Sequence, residues 1–258
     1  MKISVAVNLH YEFPQPTEIL LQIEAAQIPE QAIESAFINV GNVEHFARVS
    51  AQDAIGERIW LKTGGALQVD YRATVSIFRQ IGDLGRLDAV PASRLPGETV
   101  QYLLDSIYCP ATRFQDFVEA EFGCLTGGSR IVAMRDWIMR KFTYSPGMSD
   151  TRTTALDTFV SRRGVCRDYA HVMIALARAS LIPARIASVY ALGVKPQDFH
   201  VVAEVFLNGS WHLVDATGMA READMAKIGV GRDAADVSFL TSFGPAYLIQ
   251  QTVKVVAG

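Results

Sequence analysis

The chain has 258 residues, enough for one large domain or two ordinary ones. Half of it is hydrophobic and 20% is charged, a composition that excludes disorder and expects a packed core. The formal net charge is −3 and no basic cluster stands out, which argues against a nucleic-acid partner.

The first residues, Met1 to Asn8, alternate apolar and polar and are soon interrupted by polar side chains, so they read as a strand rather than a signal peptide. No run of about 18 apolar residues occurs, and no membrane span is expected. Leu20 to Ala25 alternates in the same way. The longest alternation is Gly65 to Phe78, with apolar residues at Leu67, Val69, Tyr71, Ala73, Val75 and Ile77. That is a strand with one face on a core and one in water. Strands separated by Gly, Pro and Asn turns predict an antiparallel sandwich. His10 and His45 stand alone and do not read as metal ligands, which need several converging groups. Pro91 to Gly97 carries two prolines, a serine and a glycine and reads as a linker. The expected division is a β-rich domain over 1–95 and an α+β domain over 96–258.

Helices are predicted over 113–123 and 129–142. The second starts after Gly127-Gly128, and Trp137 falls on its apolar face as core packing. A third helix is expected near Thr154, with Asp157 as its capping carboxylate, ending at Arg163-Gly164 with the glycine as a left-handed cap. The next runs from about Cys166 to Ser180 and is apolar on nearly every side, hence buried.

Three cysteines are present, Cys109, Cys124 and Cys166. The odd number, the lack of CxxC spacing and the absence of an export signal predict a reducing cytosol, no structural disulfide and no zinc site. Cys109 and Cys124 read as ordinary thiols. Cys166 is different in position. It opens a helix, where unpaired backbone N–H groups favour a thiolate.

A hairpin follows, His200 to Leu207 and Ser210 to Asp215, joined by Asn208-Gly209, the preferred two-residue turn. If that pair is the whole turn, Leu207 faces Ser210, Val202 faces Asp215 and His200 faces Thr217. His200 and Asp215 then share a face as diagonal neighbours, close enough for an imidazole to meet a carboxylate. The same parity turns His212 away. Glu204 shares the face of His200 but lies roughly 13 Å along the strand. His171 sits about 140° around the helix from Cys166 and cannot serve it as a base. A cysteine at a helix start, a histidine at a strand start and an aspartate at the end of the neighbouring strand have the layout of a Cys-His-Asp triad.

Four segments carry a family resemblance: Gly164-Val165-Cys166-Arg167-Asp168-Tyr169-Ala170-His171, Ile182-Pro183-Ala184-Arg185, Asp198-Phe199-His200 to Glu204-Val205, and Trp211 to Ala216. They resemble the bacterial transglutaminase-like superfamily, whose members are often described as candidate cysteine proteases. Ile228 to Val237 is also similar to it, and the front of the chain resembles more loosely the β-rich domain that often precedes this core. The resemblance implies a papain-like α+β core, with the nucleophile at Cys166, the base at His200 and the orienting carboxylate at Asp215. Calcium-dependent animal members place a tryptophan upstream of the cysteine. None stands at a matching position here, and Tyr144 and Trp137 are the aromatic candidates for that place. There is no acidic loop of the calcium-binding kind, so neither cofactor nor metal is implied.

The expected function is therefore a cytosolic thiol hydrolase that cleaves a peptide or other amide through an acyl-thioester at Cys166. Acyl transfer to an amine is the alternative within the same chemistry, since pocket access decides between water and amine. A third reading is an interaction module with an unused triad.

Overall fold

Ile3, Val5, Val7, Leu9, Tyr11 and Phe13 are all buried, while the residues between them are half-buried or exposed. Period-two burial of this length means one face of a strand on a core. The computed structural model describes residues 1–258. In chain order the strands and helices are β1 (Lys2–Leu21), β2 (Gln31–Asn39), β3 (His45–Ser50), β4 (Glu57–Ile77), α1 (Gly97–Val100), α2 (Gln115–Phe122), α3 (Gly127–Lys141), β5 (Thr143–Tyr144), α4 (Ala155–Ser161), β6 (Arg163–Gly164), α5 (Cys166–Ala179), β7 (Ala184–Ala191), β8 (His200–Leu207), β9 (Ser210–Val214), β10 (Met225–Gly231), β11 (Leu240–Ser242) and β12 (Tyr247–Ala257).

The first expected strand runs on well past Leu9 as β1, which ends at Leu21, so only Leu20 and Leu21 of the expected Leu20–Ala25 strand belong to a strand and Gln22 to Ala25 are irregular. β1 lies antiparallel to β4, which is of similar length, and the register breaks between Phe13 and Thr17. Pro14 and Pro16 fall in that break, where a missing N–H costs no ladder bond. On either side, alternate residues of both strands enter a single core. β2 and β3 pair with successive parts of β4.

The sheet is completed from the far end of the chain. β11 pairs with β1 at Ile19–Leu21, and β12 runs along β1 from Ile3↔Ala257 to Glu12↔Tyr247. The expected assignment of all residues after 95 to the second domain therefore needs correcting for these two strands. Val253 and Val255 give the reason: β12 buries them in the core of the first sheet. Pro91 to Gly97 does lie in an irregular stretch, a single 3₁₀ turn running into the short α1.

The second sheet has the order β10-β7-β8-β9, all antiparallel. α5 packs against it and is almost entirely buried, burying Val172 to Ala177 among Ile131, Met134, Ile138 and the strand residues Ala184, Ile186, Ala203 and Val205. The two sheets also meet. Tyr190 of β7 and Ala226 and Ile228 of β10 belong to the core of the first sheet, and Tyr190 donates to the Ile23 carbonyl at 2.6 Å. The architecture is α+β, with antiparallel sheets and a helix-bearing core. No helix is long and apolar enough to cross a membrane.

Candidate active site

Cys166 is the first residue of α5 and is partly exposed. Two features hold it there. Asp168, fully buried two residues on, accepts a hydrogen bond from the Val165 N–H at 2.8 Å and from the Ser149 hydroxyl at 2.5 Å. An acid at the third helical position satisfies one of the helix's free N–H groups. Its other oxygen accepts from Nε and Nη2 of Arg167. Gly164 makes the geometry possible, since a Cβ there would lie 2.7 Å from Cβ and Oδ2 of Asp168.

The glycine is therefore needed for close approach, not for the left-handed cap expected of it. The left-handed residue that ends α4 is Arg162, at φ 57°. Its guanidinium lies over the rings of Phe159 and Trp137, at 4.1 and 4.4 Å from their centroids. That stacking holds a non-glycine residue where glycine is usual. The start of α4 follows expectation, with Thr154 and Asp157 bonding each other's backbone N–H as a capping box.

His200 opens β8, and the hairpin has the expected register, Leu207↔Ser210 to Ala203↔Val214. Asn208 and Gly209 both have positive φ, as a tight two-residue turn demands. Past Val214 the strand stops. Thr217 does not face His200 across a ladder. It folds back so that its N–H and hydroxyl donate to Oδ1 of Asp215 at 2.8 and 2.6 Å. The aspartate side chain thus makes a local turn that competes with strand pairing. Oδ2 of Asp215 accepts from the Ala220 N–H at 3.0 Å and lies 3.1 Å from Nε2 of His200.

His200 and Asp215 are both buried, and Nδ1 of the histidine has no hydrogen-bond partner. Burial works against the charged imidazole. The Asp215 hydrogen bond and the neighbouring Cys166 thiol outweigh it and raise His200 to about 10. Burial also works against the Asp215 carboxylate, but His200 and Thr217 more than compensate and hold it below the usual range. The pair is arranged to carry an imidazolium next to a thiol.

Tyr144 completes the group. A two-residue parallel bridge ties β5 to β6, with Ser145 N–H donating to the Gly164 carbonyl at 2.8 Å. This clamps Tyr144 beside the loop that carries Cys166. Burial, followed by the nearby Cys166 thiol, pushes its phenol to about 12, and the phenol also adjoins the Cys166 backbone N–H. It is a neutral donor at ordinary pH. Trp137, the other aromatic candidate, lies in an aromatic cluster with Phe117, Phe142 and Phe159 instead.

The competing groups are elsewhere. His171 stacks on Tyr108 and accepts from the Ala234 N–H at 3.2 Å, and burial lowers its pKa to about 3. Glu204 is held by Arg185 and Lys227. His212 stands opposite Val205, on the other parity from Asp215. Sequence reasoning passed over Asp168, although an acid three residues after a helix cap was there to be seen. Phe199 and Phe239, stacked at 4.5 Å beside Cys166, have no local signal, because 40 residues separate them.

A family model described as the transglutaminase-like superfamily matches residues 117–216, which contain Tyr144, Cys166, His200 and Asp215. A solved structure from Cytophaga hutchinsonii, described as a "putative cysteine protease", is 32% identical. It superposes with a TM-score of 0.93, over 100% of this chain and 90% of that one. The chain belongs to the transglutaminase-like superfamily. An uncharacterized protein from Mycobacterium leprae is 28% identical over 116 residues, and the alignment spans 42% of this transglutaminase-like chain and 42% of that relative's length. The periplasmic domain of TgpA from Pseudomonas aeruginosa is 18% identical, with a TM-score of 0.45 over 82% of this chain and 76% of that one.

The place of Tyr144 in this transglutaminase-like site leads to an expected result. Tyr144→Phe keeps the ring and removes one donor beside Cys166. It should lower kcat by about 10²-fold with little change in KM, the usual signature of losing an oxyanion donor. Steady-state kinetics on any amide substrate of the wild type checks this, and an equal rise in KM alone would contradict it.

Proposed function

We propose that this protein is a thiol-dependent hydrolase of amide bonds in peptides, isopeptides or related amides, acting through Cys166, His200 and Asp215. The observation that carries the reading is the buried His200 ring. One of its nitrogens is bonded to Asp215, the other is left without a partner, and the Cys166 thiol is its neighbour. The thiol proton resides on His200 and the thiolate attacks the carbonyl carbon, forming a C–S bond. The Cys166 N–H and the Tyr144 hydroxyl take up the oxyanion. His200 gives its proton to the leaving amine as the C–N bond breaks. Neutral His200 then takes a proton from water, the resulting hydroxide cleaves the thioester, and the proton returns to the thiol. Asp215 holds the ring and stabilises its charge.

Membership of the superfamily and the description of the Cytophaga hutchinsonii neighbour support the reading. Attack by an amine instead of water at the thioester would give transamidation through the same steps. A reducing compartment such as the cytosol suits a protein whose three cysteines are all free. The test uses the thiols themselves. Iodoacetamide should modify Cys166 much faster than the exposed Cys124, although Cys166 is the less accessible, and His200→Ala should remove the advantage. Equal rates for the two cysteines in the wild type would refute an activated Cys166.

A further inference from the structure

Cys166 also lines a cavity of about 330 Å³ whose lining includes neither His200 nor Asp215. Its walls are Tyr108, Phe199, Val201, Ala234, Val237 and Phe239. No aspartate, glutamate or lysine lines it, and the one charged group is Arg167. That guanidinium is already committed, donating to Asp168 and to the Asp150 carbonyl. A cationic substrate side chain would find only the Thr151 and Ser238 hydroxyls and no carboxylate there, and a charge removed from water without an opposite charge is disfavoured. An apolar one would be covered on several sides.

The walls are held from both halves of the molecule. On one side Tyr108 stacks on His171 of α5 at 5.1 Å, and Ala234 donates to the same histidine. On the other side stand the stacked rings of Phe199 and Phe239, nearly parallel at 11°. Both belong to segments bound to the first sheet. The Gln22 N–H donates to the Phe239 carbonyl at 2.9 Å, just before β11. Gln251 of β12 donates to Asp198 at 2.6 Å, and Asp198 in turn accepts from the Phe199 N–H. A pocket braced in this way is preformed, as binding sites for side chains of this kind are.

We propose that this cavity is the specificity pocket of the enzyme. It seats a bulky apolar residue, aliphatic or aromatic, flanking the amide bond that Cys166 attacks. The first sheet supplies one of its walls. The inference rests on Cys166 being the nucleophile, so the experiment separates the two. Dipeptidyl chloromethyl ketones carrying Leu, Phe, Lys or Asp at either position would be reacted with the full chain. Alkylation of each cysteine would be followed by mass spectrometry.

Leu or Phe at one of the two positions should speed Cys166 alkylation by about tenfold or more over Lys or Asp there. Ser238→Glu places a carboxylate on the exposed rim of the cavity, giving up the Ser238 hydroxyl's bond to the Ala234 carbonyl, and should move the preference toward Lys by about tenfold. Cys166 reacting faster than Cys124 but equally with all members would overturn the pocket and leave the nucleophile standing. An unchanged preference in Ser238→Glu would also overturn the pocket. Cys166 reacting no faster than Cys124 with any member would overturn both.

Discussion

Cys166→Ala is expected to abolish turnover and His200→Ala to reduce it about 10⁴-fold or more, since in the proposed mechanism they act as one unit of nucleophile and base. Asp215 needs a different substitution. Its carboxylate also accepts from the Thr217 and Ala220 backbone, so alanine would unsettle the turn as well as the imidazole. Asp215→Asn preserves the shape and should cost about 10–100-fold less than loss of Cys166 or His200. The pH profile provides a second readout. Although burial opposes the charge on His200, Asp215 and Cys166 raise it to about 10, so kcat/KM should fall on an alkaline limb near that value. In Asp215→Asn the limb should move to lower pH, because the Asp215 hydrogen bond is the largest influence raising the ring. The sign of the stability effect follows from linkage. A raised histidine contributes fully below the ordinary value of 6.5, and that contribution disappears as pH rises through about 10. Full activity in Cys166→Ala would end this account of the chemistry.

Glu204→Ala is expected to cost about 3–5 kcal/mol, because it takes the fully buried carboxylate from between two buried cations and leaves each with a single, partly exposed acid, Asp53 for Arg185 and Glu30 for Lys227. Glu204 is fully buried on β8 between Arg185 of β7, 2.7 Å away, and Lys227 of β10. The charges continue across to the first sheet. Lys227 and Arg79 both meet Glu30, and Arg185 reaches Asp53 at 2.7 Å. Burial disfavours the Glu204 carboxylate, but Lys227 and Arg185 more than offset this and lower it to about 2. A lowered carboxylate stabilises the fold above its unfolded value near 4.5, and the contribution is lost as pH falls through about 2. Urea unfolding at neutral pH should show the loss in Glu204→Ala. Acid unfolding should shift upward in Glu204→Gln, which keeps the shape and removes the charge. A loss below about 1 kcal/mol in Glu204→Ala would mean that the network is no more than a surface-like set of pairs.

Much of the site was legible because its parts are local. A buried helix opening on Cys166 follows from an apolar run after a glycine, and a capping box at Thr154 from two residues three apart. The juxtaposition of His200 and Asp215 follows from one dipeptide, Asn208-Gly209. Its two positive φ angles allow a turn of only two residues, and period-two alternation does the rest. Parity set aside His212, the rise along the strand set aside Glu204, and the angle around the helix set aside His171. The α+β class followed from the change of period along the chain.

What only the tertiary structure decided involves partners far apart in sequence. Nothing in Tyr247 to Ala257 says that it pairs with β1 rather than with the nearer β10, because alternation specifies a face and not a neighbour. The parallel bridge that brings Tyr144 to Cys166 is two residues long, too short for any periodicity. Arg162 takes a left-handed cap expected of glycine because aromatic rings from α3 and α4 stack on its guanidinium. The wall of the Cys166 cavity joins Phe199 to Phe239 through bonds to a sheet formed by both ends of the chain. A sequence determines locally which residues can form a strand, a turn or a cap. Which of those elements meet depends on the burial of faces that belong to the whole fold.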